Sequence, residues 1–294
     1  MDGFDAVAKT SLLTAALRAG ETTRPDRLYA DPYAARLAAG VGPNLFGTVA
    51  TATTERRTGP EPDAGRRLPN TVDYNAIRTR FFDEYLLASV AELHPVQVVL
   101  VAAGMDTRAY RLPWPAPVEI FELDRPAVLV VKEAALGAEE LPATVTRRPV
   151  AVDLVAPGWE RALVEAGYDP ARPSVWLLEG LLYYIEEDQV RRLLHTVRTV
   201  TAPGSRVAGD LVNAVALTAP VMRPLLEIFA AWGSPWRFGS DEPERLFAGY
   251  GIEATAVQPG EPGADFGNRW KDPVVPRDVP DIERVFYLYG TRSS

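Results

Sequence analysis

The sequence predicts an α/β fold: a doubly wound sheet of seven strands, five parallel and a terminal antiparallel pair, preceded by a helical N-terminal region. Three observations carry that reading. Short apolar runs alternate with helical patterns through residues 96–213, the rhythm of strands joined by crossover helices. The first run, VQVVLVAAG (96–104), is continuously apolar and ends in glycine, as a strand buried on both faces does. The last two runs, 252–260 and 283–290, have no helical pattern between them; without a crossover helix they must pair antiparallel.

The elements follow in order. AVAKTSLLTAALRA (6–19) sets Val7, Leu12, Leu13, Ala16 and Leu17 at helical spacing, and Asp31-Pro32-Tyr33 opens a second short helix with Asp as cap and Pro in its first turn. Residues 40–70 are rich in Gly, Pro, Thr and Arg without a sustained period and read as a mobile segment. A helix from about Asp73 to Leu93 carries Ile77, Phe81, Phe82, Tyr85 and Leu86. Strands are then expected at 96–104, 117–124, 147–154, 174–185 (with its exit) and 205–213, separated by helices from Arg125, at 158–167 and at 186–200. An insertion at about 214–240 precedes the final strands. The domain reading is an N-terminal helical cap or lid over 1–93 and a ligand-binding domain over 94–294.

Composition excludes several functions. With 31 Lys plus Arg, 39 Asp plus Glu and no cysteine, the chain has no thiolate metal ligand, disulfide or cysteine nucleophile. His94 and His195 are too far apart in sequence to suggest a metal centre, so none is expected. Net charge −8 argues against a nucleic-acid partner, and no apolar run approaches the roughly 20 residues of a membrane span. An acidic start, MDGFD, is unlike a signal peptide. A cytoplasmic monomer or homodimer is expected.

In an open parallel sheet the ligand sits beyond the carboxyl ends of the strands, where the strand order reverses. The residues there are 102–107, Glu122 and Asp124, Asp153 and Leu154, Glu179 and Gly180, and Asp210 with Asn213. Every strand end carries a carboxylate. AAGMDTR is not G-x-G-x-x-G, no phosphate loop is present, and Asp106 would oppose a pyrophosphate at the first helix start. A cationic, phosphate-free cofactor suits these charges, and S-adenosylmethionine is one. Asp124 lies 20 residues after Gly104, the spacing at which an acid reaches ribose hydroxyls. The competing reading makes Asp106 and Asp124 helix caps.

AAGMDTRAYRLPW, FELDRP, VAVDL, LLEGLLYYI and the N-terminal AKTSLLTAALRA with DPY resemble the leucine carboxyl methyltransferase family, in particular its actinobacterial branch of S-adenosylmethionine-dependent O-methyltransferases, several of which act on polyketides and other natural products. The resemblance implies a class I methyltransferase fold with an N-terminal helical cap. Arg78 would then pair with the cofactor carboxylate, Gly104 would line the methionine moiety and Asp124 would hold the ribose. Asp153 and Leu154 would flank the adenine, Glu179 would face the α-ammonium, and Lys9 would help close the site. Ala102 stands where the family often has glycine.

The acceptor decides whether a base is needed. A carboxylate is ionised at pH 7 and needs none, whereas a phenol does. His195 lies on the solvent flank of its helix and His94 on the wrong side of strand one, which tilts the reading toward a carboxylate. Tyr183 or Asp210 could serve a hydroxyl. Tyr183, Tyr184, Asn213 and Trp236 are the expected substrate residues, with Arg56, Arg57, Arg66 and Arg67 as counter-charges on a closing lid. Rival readings are a non-methylating cyclase on the same fold and a cofactor-sensing protein.

Overall fold

The computed structural model describes residues 6–40, 71–93, 96–137, 139–267 and 269–293. The expected mobile segment and His94 lie outside them. Seven strands are formed: β1 Val96–Val101, β2 Val118–Asp124, β3 Val145–Ala151, β4 Ser174–Leu178, β5 Arg206–Val212, β6 Ile252–Val257 and β7 Val285–Arg292. They make one sheet in the order β3-β2-β1-β4-β5-β7-β6. β1 to β5 run parallel, and β7 pairs antiparallel with both β5 and β6. The seven-strand arrangement expected from the pattern is the one found.

Alternation along β1 fills both faces of the sheet. Val98 and Leu100 join Ile77, Phe82 and Leu86 on one side, while Val99 and Val101 join Trp159, Trp176 and Leu193 on the other. Ile77, Phe82 and Leu86 belong to a long helix, α3 (Thr71–Leu93), which follows α1 (Ala6–Thr22) and a single turn, α2 (Ala34–Leu37). The crossover helices are α4 (Arg108–Arg111), α5 (Pro126–Leu136), α6 (Trp159–Glu165) and α7 (Glu187–Val200). The last shows how local sequence sets an element. Glu186 and Gln189 form a reciprocal capping box, Val190, Leu193, Leu194 and Val197 are buried, and Arg191 and Arg192 pair outward with Glu187 and Asp188. Beyond β5, α8 (Arg223–Ala231) occupies the insertion and α9 (Pro243–Ala248) leads into β6.

Two boundaries bear on the site. The strand expected over 174–185 stops at Leu178, because Gly180 turns the backbone at φ +66 and residues 182–184 form a 3-10 turn. The helix after β1 is one turn long, because Leu112 must adopt extended geometry before Pro113.

Candidate active site

β1 and β4 are neighbours although β2 and β3 come between them in sequence, so the strand order reverses there. A cavity of about 260 Å³ opens at that point. Its floor is the segment 102–108 after β1, Asp124 at the end of β2, and Glu179, Gly180 and Tyr183 after β4. α1 and α3 roof it with Ser11, Tyr74 and Arg78, and Met222, Leu225, Phe229 and Trp236 close the apolar end.

The loop after β1 is held in an unusual conformation. Ala102 has φ +55 and Gly104 φ +47, and a Cβ on Gly104 would stand 3.0 Å from the Ser11 Cβ. Glycine is therefore favoured at 104 by the left-handed turn, which Ala102 adopts at a cost, and by the close approach of α1. Asp124 fixes this loop: Oδ2 accepts the Gly104 N–H at 2.6 Å and Oδ1 accepts the Arg125 N–H at 2.7 Å. Burial pushes the Asp124 carboxyl up, with these two amide donors opposing.

A chain of alternating charges runs along the cavity wall. Arg78, from α3, meets Glu179 Oε1 through Nε at 3.0 Å and Asp210 Oδ2 through Nη1 at 2.9 Å. Arg108 takes Glu179 Oε2 at 2.8 Å, Asp106 at 2.5 Å and Asp83 at 2.7 Å. Burial would raise the Asp106 carboxyl, yet the Arg108 guanidinium prevails and holds it at about 2. Asp210 is fully buried and accepts from Tyr74 Oη at 2.9 Å, Tyr183 Oη at 3.3 Å and the Gly180 N–H at 2.6 Å, besides Arg78.

A second network docks the N-terminal helices on this floor. The N-cap of α2 is Tyr33, not Asp31 as expected, so Pro32 lies before the helix; buried Asp31 accepts the Ala34 N–H at 3.1 Å from two residues ahead of that cap, and its other oxygen takes Arg18 Nε at 2.9 Å and Thr107 Oγ1 at 2.7 Å. Arg18 also donates to the Met105 carbonyl at 2.5 Å. Thr107 and Met105 belong to the loop after β1, so closure of α1 and α2 and the shape of the cofactor-side floor are coupled.

Of the expected cofactor residues, Arg78, Ala102, Gly104, Asp124 and Glu179 line the cavity together, and Lys9, Asp153 and Leu154 do not. Asp153 is exposed and accepts the Val155 N–H at 3.1 Å, Leu154 packs beside the second core, and Lys9 is half-buried on α1. Of the expected substrate residues, Tyr183, Tyr184 and Trp236 line the cavity, whereas Asn213 does not. Asn213 instead ties β5 to the segment before β7, donating to the Ile282 carbonyl at 2.8 Å and accepting the Arg284 N–H at 2.8 Å. Asp210, proposed with Tyr183 as a base, sits behind the wall rather than in it. His195 is exposed on α7, as expected.

The expectation of carboxylates from every strand end around one crevice needs correction. Asp106, Asp124 and Glu179 line the cavity. Glu122 lies one pleat deeper in β2, fully buried against Lys132 and Arg147 at 2.7 Å each, where α5 covers it. Asp106 is not the N-cap of α4, which is Thr107, but it accepts the Arg108 N–H at 2.7 Å from one residue earlier. Sequence reasoning missed Tyr74, Arg108 and Phe229. Tyr74 had a signal, since it lies one helical turn before Arg78 and shares its face.

A family model described as leucine carboxyl methyltransferase matches residues 11–198. A protein of Parafrankia sp., provisionally named an S-adenosyl-L-methionine-dependent methyltransferase, is 43% identical over 210 residues, 70% of this chain and 63% of its own length. The match thus spans less than two thirds of that relative. A protein of Saccharopolyspora erythraea with the same provisional name is 39% identical over 79% of this chain and 76% of its own. Among solved structures, a DUF574 family protein from Streptomyces avermitilis has TM-score 0.60 at 12% identity, covering 95% of this chain and 97% of that one. A provisionally named methyltransferase from Thermobifida fusca has TM-score 0.60 at 18% identity, covering 93% and 96%. These two likenesses are of fold, and the fold is that of the class I methyltransferases.

Proposed function

The chain belongs to the leucine carboxyl methyltransferase family, and we propose that it is an S-adenosylmethionine-dependent O-methyltransferase acting on a carboxylate or hydroxyl of a small, apolar, natural-product-like molecule. The observation that carries this reading is the Gly104–Asp124 clasp at the reversal of strand order, beside Glu179 and Arg78 in one cavity. The donor set fits the cofactor. Asp124 would hold the ribose hydroxyls, Gly104 and Ala102 would pass under the methionine chain, Glu179 would face the α-ammonium, and Arg78 would reach the carboxylate. Asp106, Asp124 and Glu179 share the lining with the guanidiniums of Arg18, Arg78, Arg108 and Arg111, a mixed set that suits the paired ammonium and carboxylate of a methionine chain. When bound, S-adenosylmethionine supplies an electrophilic methyl group on a sulfonium.

The chain's own contribution is alignment and exclusion of water. α1 closes over the loop after β1, and Met222, Leu225, Phe229 and Trp236 give the acceptor an apolar bed. A carboxylate acceptor would arrive ionised; a hydroxyl would meet Tyr183, whose own proton is directed at Asp210.

Calorimetry with S-adenosylmethionine, S-adenosylhomocysteine and NAD tests the cofactor. Both sulfur nucleosides should bind, and binding of NAD alone would overturn the assignment. Asp124→Ala should weaken S-adenosylhomocysteine by about 1–3 kcal/mol, the usual cost of a lost buried hydrogen-bond partner; unchanged affinity would remove Asp124 from the site. Mass spectrometry of the product, with its lability to mild base, separates ester from ether.

A further inference from the structure

We propose that Asn75 is a further cofactor-binding residue, its side-chain carbonyl accepting a hydrogen bond from the α-ammonium of S-adenosylmethionine. This deepens the methyltransferase reading and rests on it. The observation behind it is a polar group left over. Asn75 is 3% exposed and lines the cavity from α3, and its Oδ1 is buried without a hydrogen-bond partner among the described residues. Its polar neighbours on the helix are engaged: Asp73 with Arg269, Tyr74 with Asp210, and Arg78 with Glu179 and Asp210. A buried amide oxygen without a donor costs free energy, and nearly all such groups in folded proteins have one. Here the oxygen belongs to a side chain of the cavity wall, so the missing donor is one that a ligand brings.

Position selects the donor. Asn75 shares a helix face with Arg78, three residues on, and Arg78 is the residue assigned to the cofactor carboxylate. The α-ammonium is borne by the same carbon as that carboxylate. The cofactor's other donors belong elsewhere, the ribose hydroxyls with Asp124 at the end of β2 and the adenine amine beyond them. An ammonium has three protons to place. Glu179, its counter-charge on the floor, already has each oxygen on a guanidinium, Oε1 on Arg78 at 3.0 Å and Oε2 on Arg108 at 2.8 Å. It faces the ammonium from one side only. Asn75 supplies an acceptor from the roof, across the cavity from that floor.

The residue type suits the task. An amide oxygen accepts from the ammonium without adding a carboxylate to a wall that must also hold the methionine carboxylate. The last torsion of an asparagine is soft, so the oxygen turns toward the ligand at little cost. Binding also relieves the unpaired oxygen. The hydrogen bond therefore contributes more to affinity than one exchanged evenly with water.

Calorimetry at pH 7 tests this with S-adenosylhomocysteine and its deaminated analogue, which keeps the carboxylate and lacks only the ammonium. Asn75→Leu should bind S-adenosylhomocysteine about tenfold or more weakly than the native chain, the range for a hydrogen bond to a charged group. The deaminated analogue should bind the two proteins equally. Asn75→Asp, of the same size and still an acceptor, should keep at least the native affinity for S-adenosylhomocysteine. Full affinity in Asn75→Leu, equal losses for the two ligands, or weaker binding of S-adenosylhomocysteine by Asn75→Asp would overturn the proposal. The native chain reports separately on the cofactor. If it binds neither ligand, the methyltransferase reading falls and this inference with it. If it binds S-adenosylhomocysteine and Asn75→Leu does so equally, only the role of Asn75 falls.

Discussion

Ala102 and Asp106 sit four residues apart on one loop and make opposite energetic demands. Ala102 holds φ +55, where a Cβ meets the backbone at a cost of about 1–2 kcal/mol. Ala102→Gly should relieve it and raise stability by about 1 kcal/mol, the gain being reduced by the greater freedom of glycine in the unfolded chain. Urea unfolding measures this, and a destabilised variant would show that the methyl group contributes packing worth more than the strain. Asp106 stabilises in a pH-dependent way. Burial opposes its ionisation, but Arg108 brings it from an ordinary 3.8 to about 2. A depressed carboxyl contributes stability that is full above about pH 4 and is lost as pH falls toward 2, worth about 2 kcal/mol. Asp106→Asn should be less stable than the native chain at pH 6, and the gap between them should shrink to about a third by pH 2.5. A gap independent of pH would mean that Asp106 acts by shape alone.

At the scale of elements, what could be read from the sequence was what lies within one period of the chain. The α7 stripe and the β1 alternation are properties of adjacent residues, and both appear as expected. That Gly104, Asp124 and Glu179 gather at one cavity was legible too, because strand ends fix their positions. That Asp153 and Asn213 lie off the cavity was not, since it depends on where each strand stops: β3 ends at Ala151 and β5 at Val212, short of both residues. Nor could the sequence reveal that Arg78 meets Asp210, 132 residues away, or that α1 roofs the cavity. Asp31 shows how such distant pairing binds an element. It accepts the first amide of α2 and joins Arg18 on α1 to Thr107 on the floor, with its side chain fully buried. Asp31→Ala should cost about 3–5 kcal/mol, because it strands a buried guanidinium. Asp31→Asn, which keeps the amide acceptor, should cost less. Thermal or urea unfolding of the two variants decides; equal losses would mean that the charge is immaterial and the amide contact is everything.

Across the whole molecule, the family match ends at residue 198, yet the segment between β6 and β7 reaches back to the N-terminal helices. Buried Arg269 pairs through Nη2 with Glu21 on α1, through Nε with Asp73 on α3 at 2.6 Å, and through Nη1 with the Asp26 carbonyl at 3.1 Å. One guanidinium thus fastens both helices of the roof to the far end of the sheet. The roof covers the cofactor-side floor, so any ligand exchange that lifts α1 must work against this clamp. Arg269→Ala leaves the Glu21 carboxylate, 1% exposed, without its main cation. Such a loss is worth about 3–5 kcal/mol locally. Local opening and global unfolding are distinguishable by hydrogen exchange. Amides of α1 and α3 should lose protection by about a hundredfold or more in the variant, while those of β1 and β4 change less. S-adenosylhomocysteine should also dissociate faster from the variant in stopped-flow measurements. Uniform loss of protection across roof and sheet would instead make Arg269 an ordinary part of one cooperative core, with no separate hold on the roof.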